Sequence, residues 1–201
     1  EVLVEQGRAI GVRGVAIHPD TLERGGQVEV FADRVILSCG AIGTPRLLWH
    51  SGLATHLGPV GEGLNVHPGS AVLGLCEHEV HLWKGATQGA YFHHPELPGV
   101  LPHTFTAPPE VVLSCMQAVG GDLQNGLDLL PYICGLNVMV SDTGSGTVRA
   151  TADGRADVKY TFHRKDLPRI RRGMVESAKV LMAGGATRLT APIHSPSGTH
   201  K

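Results

Sequence analysis

The feature that most constrains the fold is a short apolar run that leads directly into a glycine. Residues 34–39 read Arg-Val-Ile-Leu-Ser-Cys and are followed by Gly40. A nearly continuous apolar run of this length suits a strand buried on both faces of a parallel sheet. Thr44 and Pro45 are residue types preferred at a helix cap and first position, and Gly52 marks a helix end. The order predicts a buried strand, a turn and a helix that begins at Thr44 or Pro45.

The rest of the chain alternates strand patterns with turn signals and one long helix. Apolar or alternating runs predict strands at residues 2–5, 9–17, 28–31, 71–76 and 132–140. Residues 147–162 predict a hairpin around Asp153-Gly154, a dipeptide favoured in type I′ turns. Residues 95–109 hold five prolines without periodicity, which predicts a long loop. Asp166 is expected to cap the clearest helix, which ends at Gly184.

The composition fits a folded protein of one or two domains and argues against several kinds of partner. Of the 201 residues, 42% are apolar, and 17 Lys and Arg against 18 Asp and Glu leave a net charge of −1. This balance gives no electrostatic basis for binding nucleic acid or an anionic membrane. No apolar run approaches the roughly 20 residues of a spanning helix, so we expect no transmembrane segment.

The termini and the cysteines indicate an excerpt of a cytoplasmic protein. The chain shows no signal-peptide pattern and its first methionine is Met116, so we interpret it as an excerpt of a longer protein or a processed product. The cysteines are too few and too scattered for a disulfide framework, and no CxxC occurs. They are Cys39, Cys76, Cys115 and Cys134. We expect them to be reduced and mostly buried thiols in the cytoplasm.

Several short stretches resemble one enzyme family. The most specific is GAIGTPRLLWHSGL at residues 40–53. Three others agree with it: GRAIGV at residues 7–12, VGEGLNVHP at 60–68 and WKGATQG at 83–89. Together they resemble the glucose–methanol–choline (GMC) oxidoreductases, and the last resembles a bacterial branch related to long-chain alcohol oxidases. The chain departs from the family pattern at Ala54, usually glycine, and at Gly63, usually asparagine.

The resemblance implies a fold, a cofactor and a reaction. Residues 1–59 would be the distal part of an α/β FAD-binding domain. Residues 60–201 would be most of an α+β substrate domain with an antiparallel sheet, incomplete at its C-terminus. The enzyme would oxidise the CH–OH group of an alcohol by hydride transfer to FAD. The cofactor-binding residues would be Cys39, Gly40, Ala41, Thr44 and Pro45, because ligands of open parallel sheets bind beyond the carboxyl ends of the strands.

The same resemblance implies that the groups that perform the chemistry lie outside this chain. The family's GxGxxG fingerprint lies upstream, and the GxG at residues 144–146 reads as a turn because a strand follows it. The family's catalytic histidine and its partner follow a stretch whose start resembles SGTHK at residues 197–201. Ser195 occupies a position where the family often has histidine. We therefore assign no catalytic residue and expect this chain alone to be inactive.

Other constellations do not give a stronger function. Residues 78–81, His-Glu-Val-His, lack the spacing of the zinc motif HExxH, and His93 and His94 would point apart on a strand. We therefore expect no metal site. His67 is expected to be a hydrogen-bonded structural residue. A second hypothesis stays open, in which the chain is a non-catalytic fragment or degenerate homologue acting only as a binding or structural module. The alcohol, the electron acceptor and the oligomeric state also stay open.

Overall fold

The computed structural model describes residues 1–116 and 120–191. Within these residues the chain forms ten strands, four α-helices and two short 3₁₀ helices. All strand pairings are antiparallel, in three separate sheets. The chain divides into two compact units. The first contains residues 1–65 and 144–162, and the second contains the described residues from 66 to 143 and from 163 to 191.

The first sheet of the first unit is a three-stranded meander near the N-terminus. Its strands, in spatial order, are β1 (Val2–Glu5), β2 (Arg8–Ile17) and β3 (Arg24–Phe31). The connection between β1 and β2 consists of Gln6 and Gly7, which have φ angles of 47° and 78°. Two successive positive φ values give a tight turn whose twist matches that of the flanking strands. The predicted strands of this region are confirmed, although β3 begins earlier than expected.

A helix and a second small sheet complete the first unit. The helix is α1 (Gly40–His50), and the strands, in spatial order, are β4 (Glu62–Leu64), β8 (Ser145–Ala150) and β9 (Ala156–Thr161). Helix α1 packs against β8 and β9. The guanidinium of Arg149 lies 4.7 Å from the centre of the Trp49 ring, and Trp49 Nε1 donates to the Val60 carbonyl at 3.1 Å. These contacts fix the C-terminal half of α1 to the sheet.

The second unit is built on a four-stranded sheet. Its strands, in spatial order, are β10 (Ala186–Thr190), β5 (Gly69–Cys76), β7 (Ile133–Val140) and β6 (Val100–Thr104). Helix α4 (Asp166–Ala183) packs against all four strands. Val138 and Val140 are fully buried and form an apolar cluster with Val100 and Ile170. The predicted strands of β5 and β7 and the long helix α4 are confirmed.

The second unit contains a second apolar cluster and two helices that the sequence pattern did not predict. These helices are α2 (Pro109–Met116) and α3 (Gly121–Leu129). The buried members of the cluster are Leu82, Ala107, Val112, Leu130 and Ile133. None of the helices in the described part of the chain is long and apolar enough to cross a membrane.

The predicted buried strand at residues 34–39 is wrong. This segment is irregular, it follows β3 without pairing, and the Ile36 side chain is 86% exposed. A strand requires a neighbour that supplies hydrogen bonds, and the described residues place none beside this segment. The predicted helix start is also wrong, because α1 begins at Gly40 and contains Pro45.

Three further local predictions need correction. Residues 95–109 contain strand β6, which tolerates Pro102 because it is an edge strand of the sheet. The hairpin between β8 and β9 has a longer loop than a type I′ turn, and of its two predicted turn residues only Gly154 has a positive φ, 78°. Asp166 lies in the first turn of α4 and is not its N-cap.

The compact units follow a different division from the predicted domains. The first crossing between the units lies after Asn65, close to the predicted boundary. Residues 144–162, which we predicted to belong to the second domain, return to the first unit, because β8 pairs with β4. The assignment of a cofactor role and a substrate role to the two parts stays a prediction.

Candidate functional site

The predicted cofactor-binding residues lie together at the start of α1. Cys39, Gly40 and Ala41 are exposed, whereas Thr44 and Pro45 are half-buried. The Oγ1 atom of Thr44 accepts the backbone N–H of Cys39 at 3.0 Å. Thr44 therefore lies inside the helix and holds the backbone of Cys39, the residue just before the helix. The sequence pattern instead predicts that Thr44 caps the helix.

Gly40 has the backbone conformation and the free space that a close ligand approach requires. Its φ angle is 76°, in the left-handed region that side chains other than those of asparagine and aspartate rarely adopt. A Cβ atom built at this position would have no neighbouring atom within 4 Å. Glycine is therefore required at position 40 because of the backbone angle and not because of crowding within the chain. The space next to Gly40 is open.

The start of α1 offers backbone groups that are suited to an acceptor-rich ligand. The first four N–H groups of a helix have no intrahelical acceptor, and no side chain caps α1. Its first turn holds no acidic residue, so the positive end of the helix dipole is not neutralised there. The Ala41 carbonyl would normally accept from residue 45, but Pro45 carries no N–H. Phosphate oxygens and ribose hydroxyls are groups that such a helix start can bind.

Gly61, which the sequence pattern did not single out, lies against this helix start. Gly61 has a φ angle of 79°, and its carbonyl accepts the N–H of Val148 at 2.7 Å. A Cβ atom at Gly61 would lie 2.0 Å from the Val148 carbonyl oxygen and 3.2 Å from Pro45 Cβ. Only glycine allows β8 and Pro45 to approach from both sides. The glycine-rich composition of residues 58–68 was the available signal, but it indicated only an irregular segment.

The two departures from the family pattern have a structural explanation. Gly63, in the place of the usual asparagine, has a φ angle of 76°, and asparagine is one of the few other residues that tolerate this region. The replacement therefore preserves the backbone path. Ala54, in the place of the usual glycine, is buried and begins the 3₁₀ helix Ala54–His56, while Gly52 provides the positive φ, 73°, after α1.

The histidines singled out in the sequence belong to the second unit, whereas the start of α1 belongs to the first. His67 has an exposed side chain and a φ angle of 39°, and its backbone N–H donates to Asp142 Oδ1 at 3.3 Å. His81 Nε2 lies 2.8 Å from Glu79 Oε2. In the part of the chain that the structure describes, no three His, Cys, Asp or Glu side chains are grouped to hold a metal ion. Ser195 and residues 197–201 lie outside the described residues.

The comparisons with known proteins bear on the same region. A family model described as GMC oxidoreductase matches residues 1–69, which include the whole start of α1. An uncharacterized GMC-type oxidoreductase from two strains of Mycobacterium tuberculosis is 34% identical over 193 residues. That alignment covers 96% of this chain and 29% of the relative. This chain therefore spans less than a third of the length of these relatives.

A plant relative is less similar in sequence, but its name specifies an activity. A long-chain-alcohol oxidase of Arabidopsis thaliana is 25% identical over 201 residues, which cover 92% of this chain and 25% of that protein. All of these alignments extend well beyond residue 69, into the second compact unit. The resemblance to the GMC oxidoreductases that the motifs predict is thereby confirmed.

Proposed function

We propose that this chain works as part of an FAD-dependent oxidoreductase that oxidises the CH–OH group of an alcohol. The observation that supports a cofactor contact is the open, uncapped start of α1 behind Gly40, within the segment that the family model matches. We further propose that the first unit contributes to the cofactor domain and the second to the substrate domain.

In this proposal the chain binds and orients the cofactor and does not exchange protons with the substrate. The backbone N–H groups at Gly40 and Ala41 would donate to ribose or pyrophosphate oxygens of FAD. The absence of a side chain at Gly40 would allow that approach, and Thr44 would hold the backbone of Cys39 in position. FAD, when bound, supplies the acceptor for the substrate hydride. No residue of this chain is proposed as the base for the alcohol proton.

The decisive variant distinguishes the effect of the Gly40 backbone angle on FAD binding from the effect of the open space next to it. A bulky residue such as valine would test both at once, because it is strained at a φ angle of 76°. Asparagine tolerates that angle but fills the open space. We expect Gly40→Asn in the full-length protein to bind FAD roughly tenfold to a hundredfold more weakly, the effect of losing one charge-assisted hydrogen bond. Flavin absorbance per mole of purified protein measures the loss.

The matched control lies just beyond the other end of the same helix. Gly52 has a φ angle of 73° and, like Gly40, no atom within 4 Å of a Cβ at its position. Gly52→Asn should therefore retain FAD. Equal flavin content in the Gly40→Asn protein and the wild type would show that the cofactor contact lies elsewhere.

The substrate class needs a separate measurement. The full-length protein should reduce an artificial electron-accepting dye when given an alcohol, and straight-chain alcohols of increasing length are the first series to test. Flavin bound at full occupancy without dye reduction for any alcohol would refute the proposed reaction. A full-length protein with neither flavin nor dye reduction would favour the second hypothesis, a binding or structural module.

A further inference from the structure

Two thiols of the second unit lie in contact across neighbouring strands. The Cys76 Sγ–H donates to Cys134 Sγ at 3.5 Å, and the Cys134 Sγ–H donates to the Gly74 carbonyl at 3.4 Å. Cys76 is buried, Cys134 is partly buried, and both are free thiols. The sequence predicts four reduced and mostly buried cysteines, and nothing in the spacing of 58 positions between Cys76 and Cys134 indicates that these two meet.

The sheet register explains how these sulfur atoms come together. Gly74 is paired directly with Cys134, so Cys76 lies two residues further along β5 on the same face of the sheet. A Cβ atom at Gly74 would lie 2.9 Å from the Cys134 sulfur. Because Gly74 has no side chain, the Cys134 side chain can occupy this space and lie next to Cys76.

The position of the pair allows the small movement that a covalent bond needs. Cys76 is the last residue of β5, and the last registered pair of the β5–β7 ladder is Leu75 with Ile133. On its other side Cys76 pairs with Ala186, next to an irregularity in β10. The sulfur atoms must approach from 3.5 Å to the roughly 2.05 Å of a disulfide, and the end of a ladder yields more easily than its centre.

We propose that Cys76 and Cys134 form a modification site, a reversible intramolecular disulfide between β5 and β7 that hydrogen peroxide produces. In the first step one of the two sulfur atoms attacks an oxygen of hydrogen peroxide, the O–O bond breaks, and a sulfenic acid and water form. In the second step the other sulfur atom attacks the sulfur of the sulfenic acid, the S–O bond breaks, and the disulfide and a second water form. The two thiols lose two electrons and two protons, and hydrogen peroxide is reduced to two molecules of water.

The surroundings of the pair limit the rate of the reaction. Burial, and then the hydrogen bond with Cys76, raise the pKa of the Cys134 thiol to about 11. Its thiolate is therefore scarce at neutral pH, which slows any step in which Cys134 is the nucleophile. We expect the reaction to take hours, at the slow end of disulfide formation.

The test is a disulfide map of the reduced full-length protein after treatment with hydrogen peroxide. After blocking of free thiols in denaturant, trypsin without reductant should release peptide 47–84 linked to peptide 85–149, because no Lys or Arg lies within either. The linked mass should be two hydrogens below the sum of the two free peptides, and reductant should separate them.

Two variants make the assignment unique, since peptide 85–149 contains Cys115 as well as Cys134. Cys115→Ser should retain the linked peptides, and Cys134→Ser should lose them. Blocked thiols at both Cys76 and Cys134 after oxidation would overturn the proposal. A linkage that persists in Cys134→Ser but vanishes in Cys115→Ser would overturn it as well.

Discussion

Asp166 is fully buried at the start of α4, and its Oδ1 atom lies 3.0 Å from Nη1 of Arg169. The other carboxylate oxygen accepts the backbone N–H of Thr143 at 2.8 Å. Arg169 also donates to the carbonyls of Ser141 and Pro98. One carboxylate and one guanidinium therefore connect the first turn of α4 to the chain after β7 and to the chain before β6.

The Asp166 network should make the stability of the second unit depend on pH. The Thr143 backbone N–H, followed by the hydrogen bond from Arg169, holds the pKa of Asp166 below its usual value. A lowered folded-state pKa stabilises the fold above the unfolded-state pKa of about 3.9, and this stabilisation is lost as pH falls through the folded-state pKa. Asp166→Asn should therefore lower the melting temperature at neutral pH and have progressively less effect below about pH 4.

Thermal unfolding followed by circular dichroism across that pH range measures the Asp166 effect. Glu77→Gln, at an exposed carboxylate just after β5, is the control and should change the melting temperature little at any pH. A destabilisation by Asp166→Asn that stays constant down to acidic pH would contradict the assigned charge state.

Gly173 should be intolerant of even one methyl group. It lies in α4 facing the sheet, and a Cβ atom there would lie 2.5 Å from Val138 Cγ1 and 2.8 Å from Val100 Cγ1. We expect Gly173→Ala to reduce the free energy of unfolding by about 1–3 kcal/mol, despite the better helix propensity of alanine. Chemical denaturation measures the change. Gly121→Ala, in α3 with nothing within 4 Å, should be neutral or slightly stabilising, and a similar loss in both variants would argue against a packing effect.

The 201-residue chain expressed by itself should purify colourless. The family resemblance assigns the main phosphate site to an upstream fingerprint, whose charge-assisted hydrogen bonds contribute on the order of 1.5–3 kcal/mol each. Loss of two such bonds weakens binding by at least about a hundredfold. Flavin absorbance after purification with added FAD, compared with the full-length protein, checks this expectation. Stoichiometric flavin in the isolated chain would mean that the start of α1 is the main binding site.

The unpaired segment at residues 34–39 should limit the solubility of the isolated chain. Ile36 is 86% exposed in an apolar stretch that pairs with no strand of the described residues, which favours association between chains. Ile36→Lys should raise the soluble fraction after expression without changing the melting temperature. Leu22→Lys, which removes a 73% exposed leucine from a turn, should have a smaller effect. Equal gains from both variants would indicate a general effect of charge.

Local patterns predicted the parts of the fold that depend on neighbours in sequence. The apolar runs in β2 and β5 and the three- and four-residue spacing in α4 are features of residues within each element, and these predictions are confirmed. Residues 34–39 have an equally clear apolar pattern, but their burial depends on strands that the pattern cannot supply. Helix α2 begins at Pro109. The proline-rich pattern of residues 95–109 predicts a loop there, although proline is also favoured at the first position of a helix.

The candidate site was predicted from a motif, and its detail required coordinates. The motif identified five residues that do lie together, and glycine at position 40 is consistent with the left-handed backbone found there. The contact from Thr44 back to the Cys39 N–H could not be read from the sequence, because it depends on where the helix begins. The approach of β8 to Gly61 could not be predicted either, because it joins distant parts of the chain.

The two segments of the first unit are synthesised at different times, because much of the second unit lies between them in the chain. Asn65, just after β4, donates its side-chain amide to the Gly144 carbonyl, 79 positions later. At roughly 5–20 residues per second, about 4–16 seconds separate the synthesis of these two residues. During that interval β4 and the β8-facing side of α1 have no partner, while much of the second unit is already being made. Residues 1–65 are thus made before the second unit, yet they can complete their fold only after β8 and β9 have followed.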